Sequence, residues 1–343
     1  TLWSAADDGE VDLGSSSVEF KDLYVDGVAY TDALGFGTVA MTLPTADGSA
    51  NQVLATDGSA ALSWSSVATD LDGLSDAKSG GSNFSNSMVL GHQTTGTLDN
   101  ADENVGVGIG SLESITSGDR NTAIGKGAMN NTTSGSWNAS LGYQSLYTNN
   151  TGSYNTAAGN SSLGLNEGGS SNTALGHRAL NSNTTGNLNI AVGRRALYST
   201  TTSRGNTAIG SYALEDANRT SDVNAYNVGL GYYAGNTGTN DITTGNKNTL
   251  LGASTAASAA AGTNQTVIGY GASGKGDNTV TIGNGDITLW SAADDGEVDL
   301  GSSSVEFKDL YVDGVAYTDA LGFGTVAMTL PTADGSANQV LKT

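Results

Sequence analysis

The chain has 343 residues, of which 34 are acidic and 13 are basic, so its formal net charge is −21. Only 14% of its residues are charged, against roughly 25% in ordinary soluble domains, so Asn, Ser and Thr must supply the polar surface. Such an acidic surface repels phosphate backbones and anionic lipid, which argues against nucleic acid as a partner. Cysteine is absent, which excludes disulfides and thiolate metal sites. No apolar stretch approaches the ~20 residues of a membrane-spanning helix, so no membrane insertion is expected in this segment.

The two flanks of the chain are copies of each other, because residues 1–54 recur without a change as residues 288–341. Two interpretations remain open: a tandem array of 287-residue units, or a segment that spans one unit and the start of the next. Apolar residues alternate in VDLGSSSVEFKDLYVDGVAY, and this period predicts short strands around glycine turns. The predicted organisation is a connector module at 1–64, a transition at 65–86, a repeat domain at 87–287 and a truncated second connector at 288–343.

Between the flanks, a glycine preceded by an aliphatic residue recurs twelve times. The interval is the same at every step as far as Gly210, then lengthens for two steps, and is shortest at the last step. A fixed period of this kind predicts a solenoid of about twelve stacked coils. The predicted coil corners are Gly91, Gly108, Gly125, Gly142, Gly159, Gly176, Gly193, Gly210, Gly231, Gly252, Gly269 and Gly283.

Each position of the repeat carries its own residue type. Taking one coil as an example, an aliphatic residue (Ile209) precedes the glycine, a small residue (Ala208) stands before that, and a second apolar residue (Leu214) follows four positions later. The alternation of large and small residues predicts short strands, separated by the glycine corner, in which the large and the small residues lie on opposite faces. We expect Ile209 to point into the stacked core, so that Ile209→Asp destabilises the protein strongly and His177→Ala does little. We expect the small residues to allow close approach between chains.

Asparagine recurs four residues before the glycine. Stacked coils would place these side chains above one another at about 4.8 Å, a spacing at which amides form a ladder. The alternative is that asparagine merely tolerates the backbone of a turn. The residues concerned are Asn104, Asn121, Asn138, Asn155, Asn172, Asn189, Asn206, Asn227 and Asn248.

A coil of the commonest length contains only two large apolar side chains at its repeat positions, too few to offset the backbone entropy that is lost when the coil becomes ordered. Stacking on neighbouring coils is therefore obligatory. We also expect each chain to share apolar surface with other chains, which predicts a homotrimer.

The motif NTAIGKGAM and its copies, together with TVIGYGASGKGDNTVTIGNGD at 266–286, resemble the head domain of trimeric autotransporter adhesins. This resemblance covers residues 86–287 and implies a left-handed parallel β-roll built from three chains. The run DGSANQVLATDGSAALSW at 47–64 resembles connector modules of bacteriophage tail fibres, which implies intertwined three-stranded β-prisms in the flanks.

One motif is similar to the sequence signatures of nucleotide-binding loops. The sequence GYGASGKG at 269–276 satisfies GxGxxG and nearly satisfies the phosphate loop, but Gly276 stands where Ser or Thr must bind magnesium. A phosphate loop also needs a following helix, whereas a strand is predicted here at 279–282. We therefore interpret these glycines as coil corners and predict no cofactor.

Other candidates for chemistry have simple structural interpretations. His92 and His177 lie several coils apart, too far for a shared catalytic site, and are expected at the surface. Acidic clusters could hold calcium, but none has a calcium-loop spacing, so we favour solvated charge and predict no metal. Tyr232 and Tyr233, and the group Tyr143, Tyr147 and Tyr154, could form a carbohydrate-binding face, but packing between coils is favoured. The acidic clusters are Asp7, Asp8, Glu10 and Asp12; Asp70, Asp72 and Asp76; and Asp99, Asp102 and Glu103.

These observations predict an all-β protein: a parallel β-roll of coils of 14–21 residues, homotrimeric and flanked by β-prism-like connectors. The expected function is that of an extracellular structural or adhesive fibre, of the tail-fibre type or secreted, with self and a cell-surface or glycan receptor as partners. The alternative is a bacterial trimeric adhesin. A glycan-degrading enzyme is a more distant alternative, because it needs paired carboxylates and no repeat position is acidic across the coils.

Overall fold

The computed structural model describes residues 33–36, 39–50, 52–56, 61–67, 77–91, 95–218, 224–291, 320–323 and 326–329. The chain divides into two units, Thr1–Asp286 and Ile287–Thr343. The described residues contain strands and turns but no helix. This confirms the predicted all-β, solenoid character of the chain. The strands predicted for residues 11–30 and residues 68–76 of the transition segment lie outside the described residues, and the domain boundaries stay predictions.

Short antiparallel hairpins form the described part of the flanks. Strand β1 (Ala33–Phe36) pairs with β2 (Val39–Thr42), and β3 (Gln52–Thr56) pairs with β4 (Leu62–Ser66). In the second unit, β18 (Ala320–Phe323) pairs with β19 (Val326–Thr329) in the register of the first hairpin, as the identical sequences require.

The repeat domain is one sheet of thirteen strands, twelve of them parallel. The short strand β5 (Ala77–Ser79) pairs antiparallel with the first parallel strand and covers its edge. Every later strand pairs in register with the equivalent strand of the next coil, giving a parallel β-solenoid of about 11 turns. The parallel strands are β6 (Met88–Leu90), β7 (Val105–Val107), β8 (Thr122–Ile124), β9 (Ala139–Leu141), β10 (Thr156–Ala158), β11 (Thr173–Leu175), β12 (Ile190–Val192), β13 (Thr207–Ile209), β14 (Val228–Leu230), β15 (Thr249–Leu251), β16 (Thr266–Ile268) and β17 (Val280–Ile282).

Each coil contains one strand, not the two that the repeat predicted. After the corner glycine the backbone turns instead of extending, because residues two and four positions later adopt left-handed conformations. Arg178 and Leu180, for example, have φ of 55° and 50°. Two left-handed residues so close together are incompatible with an extended strand.

Glycine is required at the corner for two reasons. Gly176 has φ of 132°, a conformation that side chains disfavour. A Cβ atom there would also lie 2.7 Å from the carbonyl oxygen of Gly193, the corner of the next coil. The corner column can therefore stack closely only if it consists of glycine.

The inward face of the strand carries the small residues, so two predictions are wrong for the single chain: Ile209 does not point into the core, and the small residues do not lie where another chain could approach them. Ala208 is fully buried, whereas Ile209 is 40% exposed. The reason is the narrow interior of the coil, which one leucine side chain already fills. At Gly229, a Cβ atom would lie 2.7 Å from Cγ of Leu214. A large residue does not fit opposite that leucine.

In most coils the two inward positions are complementary in size; in the coil of β14 both are glycine, and leucine side chains of the adjacent coils fill the space. Where the residue four positions after the glycine is large, as in Leu180, its partner on the strand is small, as in Ala174. Near the far end the arrangement reverses, and Leu250 on the strand faces Ala256. This complementarity maintains close packing along the rod. The central buried column is Leu112, Met129, Leu146, Leu163, Leu180, Leu197 and Leu214.

Leu180 and Leu188 provide a matched test of this core. Both have left-handed backbones, with φ of 50° and 58°, but Leu180 is fully buried and Leu188 is 50% exposed. We expect Leu180→Ala to lower the free energy of unfolding by about 2–5 kcal/mol, because it leaves a cavity. Leu188→Ala should change it by about 0.5 kcal/mol or less. Denaturant titration followed by circular dichroism measures both, and equal losses would contradict the assigned core.

Candidate functional site

The repeat asparagines form one buried column along the rod. The backbone N–H of Asn172 donates to Oδ1 of Asn155 at 3.0 Å, and its Nδ2 donates to the carbonyl oxygen of Gly186 at 2.8 Å. Asn189 repeats both bonds one coil later, with Asn172 and Ser203 as acceptors. Each side chain thus joins its own coil to the following one.

The geometry decides between the two interpretations of these asparagines. Asn172 does not adopt a left-handed conformation; the preceding residue, Ser171, does, with φ of 59°. A turn requirement therefore does not explain the asparagine. The column begins at Ser87, whose Oγ accepts from the backbone N–H of Asn104 at 2.7 Å, and reaches Gln265, whose N–H donates to Asn248 at 3.0 Å.

A second, shorter amide column was missed by the sequence reasoning. Nδ2 of Asn166 donates to Oδ1 of Asn149, and Nδ2 of Asn183 donates to Oδ1 of Asn166 at 2.6 Å. All three side chains are fully buried. The signal was present as three asparagines separated by the same interval as the corner glycines. It was weak because neighbouring coils have Thr132 or Thr200 at this position.

The outward face of the strands, here called the strand face, is mainly apolar, contains six threonines and has no charged residue. It consists of the first and third residue of each of the strands β6 to β17. The third residues are Leu90, Val107, Ile124, Leu141, Ala158, Leu175, Val192, Ile209, Leu230, Leu251, Ile268 and Ile282. The first residues are Met88, Val105, Thr122, Ala139, Thr156, Thr173, Ile190, Thr207, Val228, Thr249, Thr266 and Val280.

The strand face is long and exposed in the single chain. At the strand spacing of ~4.8 Å, its eleven steps extend for roughly 50 Å. Leu141, in the middle of this face, is 56% exposed. Contiguous apolar surfaces of this extent mark contact sites in soluble proteins. The strand face contains no charged residue, although the chain as a whole has a net charge of −21.

The remaining candidates occupy ordinary structural positions. Gly269 and Gly271 adopt left-handed φ values of 121° and 63°, and the strand β17 follows them, so no helix terminus faces this loop. His177 is exposed, and His92 lies outside the described residues. Among residues the structure describes, no three metal-ligating side chains gather in one place.

Of the acidic clusters, two lie outside the described residues and the third has protein partners. Oδ1 of Asp102 accepts from the backbone N–H of Ser85 at 2.7 Å. Glu103 forms an ion pair with Arg120, with 2.7 Å between Oε2 and Nε. These carboxylates bind neighbouring coils.

The tyrosines pack partly between coils. Tyr154 stacks on Trp137 with 6.3 Å between ring centroids, and Tyr233 stacks on Tyr212 at 4.7 Å. Desolvation, together with the adjacent Tyr232, raises the pKa of Tyr233, so its hydroxyl stays neutral at physiological pH.

Tyr143 and Tyr147 have a different position. They line a shallow cleft of about 190 Å³ together with Ile109, Glu113 and Lys126. Gly110 and Gly127, at equivalent positions of two successive coils, also line the cleft.

Comparison with known proteins does not assign the chain to a family. No protein-family model matches the chain, and no curated protein has a significantly similar sequence. In the part of the chain that the structure describes, no helix is long and apolar enough to cross a membrane.

Asn172→Asp tests the buried amide column. Aspartate suits turns as well as asparagine does, but it lacks the amide donor and would place a charge at a site that is 1% exposed. We expect a loss of at least about 3 kcal/mol of stability at neutral pH, typical of an uncompensated buried charge. Asn131→Asp, at an exposed position, should change stability by about 0.5 kcal/mol or less. If both variants melt at the wild-type temperature in a calorimeter, the column is not a stabilising ladder.

Proposed function

We propose that this chain is a structural segment of an extracellular fibre, and that three identical copies associate through the strand face. The observation that carries the proposal is the uncharged, mainly aliphatic surface along the solenoid. Burying such a surface is favourable at roughly 25 cal/mol per Å². A second copy of the chain is the natural occupant, because it has the same length and repeats at the same spacing.

Charge supports the strand face as the place of contact. Three copies that each carry −21 repel one another, and this repulsion is screened over ~8 Å at physiological salt. Association through the strand face excludes acidic side chains from the contact itself.

The number of copies is supported by the resemblance to trimeric adhesin heads. The same resemblance, with that of the flanks to tail-fibre connectors, supports an extracellular fibre. A bacterial trimeric adhesin is the alternative within this class. In both, the solenoid acts as a stiff spacer whose length grows with the number of coils.

Ile124 and Ile209 are each 40% exposed on the strand face, which makes them suitable for disrupting the association. We expect Ile124→Lys/Ile209→Lys to reduce the mass in solution from three times the chain mass of 34.4 kDa to a single chain. Two buried lysines on each chain would lack partners at the contact. Light scattering after size exclusion measures the mass, and circular dichroism checks that the strands remain.

Leu188→Lys is the matched control, because Leu188 is exposed but lies outside the strand face. It should leave the mass unchanged. A wild-type chain that is monomeric with full β-structure would overturn the trimer and establish a single-chain solenoid. A trimeric double variant would show that the strand face is not the contact.

We propose a mechanical role rather than a catalytic one, against the alternative of a glycan hydrolase. Such enzymes need two carboxyl groups about 5–9.5 Å apart around the scissile bond. We expect no reducing ends to be released when the full chain is incubated with acidic or neutral polysaccharides. A reducing-sugar assay measures this, and release that grows with protein concentration would contradict the proposal.

A further inference from the structure

One stretch of this acidic chain is cationic. Residues 168–214 contain four arginines and one histidine but no aspartate or glutamate, whereas the whole chain has 34 acidic residues. The stretch covers several successive coils of the solenoid. The local charge is therefore opposite to that of the protein.

Stacking brings four of these residues together. His177 and Arg178 follow one corner glycine, and Arg194 and Arg195 follow the next. The two coils are directly bonded, because the backbone N–H of Arg195 donates to the carbonyl oxygen of His177 at 3.0 Å. Equivalent residues of the two coils are thus about 4.8 Å apart along the rod.

Only one of the three arginines in this group is neutralised by a carboxylate. Nη2 of Arg195 lies 2.6 Å from Oε1 of Glu215. Arg178 and Arg194 are exposed and form no ion pair with any residue that the structure describes. Like charges on adjacent strands or coils repel, so fold stability does not explain their position.

An aromatic ring orients the side chain of Arg194. The guanidinium carbon of Arg194 lies 5.2 Å from the centroid of the Tyr212 ring, and Tyr212 in turn stacks on Tyr233. Stacking uses the flat face of a guanidinium and leaves its N–H donors free for a planar or tetrahedral anion.

Neutral and aromatic residues flank His177 and Arg194 along their column. In the column of His177 and Arg194, the neighbouring coils carry Asn160 and Ser211. The next residue of that column is Tyr232, which is 55% exposed. Exposed tyrosine offers an apolar ring and a polar hydroxyl together. Such a combination suits a ligand with apolar C–H faces and hydroxyl groups.

We propose that His177, Arg178, Arg194 and Tyr232 form a binding site, here called the cationic patch, for a linear anionic polysaccharide. Arginine N–H pairs bind its carboxylate or sulfate groups, and Tyr232 packs against a sugar ring. This deepens the proposed function, since it supplies the receptor chemistry of an adhesive fibre.

Charge spacing favours a polysaccharide over a nucleic acid. Duplex DNA carries one charge per ~1.7 Å, a density that the acidic remainder of the rod repels. An acidic polysaccharide carries at most a few charges per sugar ring and extends along the coils. Its anionic groups meet the arginines one coil apart, and its uncharged parts meet the neutral coils.

The test measures binding of the full wild-type chain to immobilised polygalacturonate, dextran sulfate, neutral dextran and duplex DNA at physiological salt. We expect binding to at least one of the two anionic polysaccharides. Binding to polygalacturonate indicates recognition of carboxylates, and binding to dextran sulfate indicates recognition of sulfates. Binding to neither, or equal binding to neutral dextran or to DNA, would overturn the inference.

Arg178→Gln/Arg194→Gln should weaken that binding at least tenfold. Lys247→Gln/Lys275→Gln removes the same charge from two exposed positions elsewhere and should weaken it less than twofold. Tyr232→Ala should weaken binding at least threefold without any change in charge. Equal losses in the arginine and lysine variants would show non-specific attraction and overturn the assigned site.

The mass in solution separates this inference from the fibre proposal. A wild-type trimer that binds no anionic polysaccharide contradicts only the cationic patch. A monomer that binds and loses binding in Arg178→Gln/Arg194→Gln supports the patch and contradicts only the trimer.

Discussion

A three-residue strand cannot hold an entire coil by its ladder bonds alone, and the polar backbone around each corner needs partners in the next coil. At the corner, backbone bonds between coils supply them, such as the N–H of Gly176 that donates to the carbonyl oxygen of Ala158. The buried asparagine column adds side-chain bonds ahead of each strand: from Asn104 to Asn227, each side-chain oxygen accepts from the backbone N–H of the following asparagine, and in most coils the amide donates to a backbone carbonyl of the next coil. This repeated bond has the same register as the strand ladder, so both align the glycine corners and the inward leucines of successive coils.

The narrowness of the coil explains where the large aliphatic residues lie. Where one leucine after the corner fills the interior beside the asparagine column, as in most coils, the strand points a small residue inward and exposes the large one. Packing within the chain thereby generates the apolar surface through which we propose that chains associate. Core and strand face are two sides of the same three-residue strand.

The residues directly after the corner glycine are limited neither by the asparagine column nor by the narrow interior of the coil. From Ile109 to Ser211, this position holds isoleucine, lysine, tyrosine, asparagine, histidine, arginine and serine in successive coils. Variation there does not disturb the stacking. The turn positions after the corner contain the residues of the proposed cationic patch and of the tyrosine-lined cleft. A repetitive rod can therefore carry different sites at different coils.

The period of the glycines determined the β-solenoid, its coil boundaries and the alignment of asparagines, because a fixed repeat must stack each residue on its equivalent. Alternation within the strand showed that Ala208 and Ile209 face opposite sides, but not which side faces inward. Only the tertiary structure decided this, because the available interior volume depends on Leu214, a residue beyond the corner. Likewise, the grouping of Arg178 with Arg194 and the second column through Asn166 depend on which turn positions point outward or inward. Left-handed residues after the corner set those directions, and no hydrophobic period in the sequence records them.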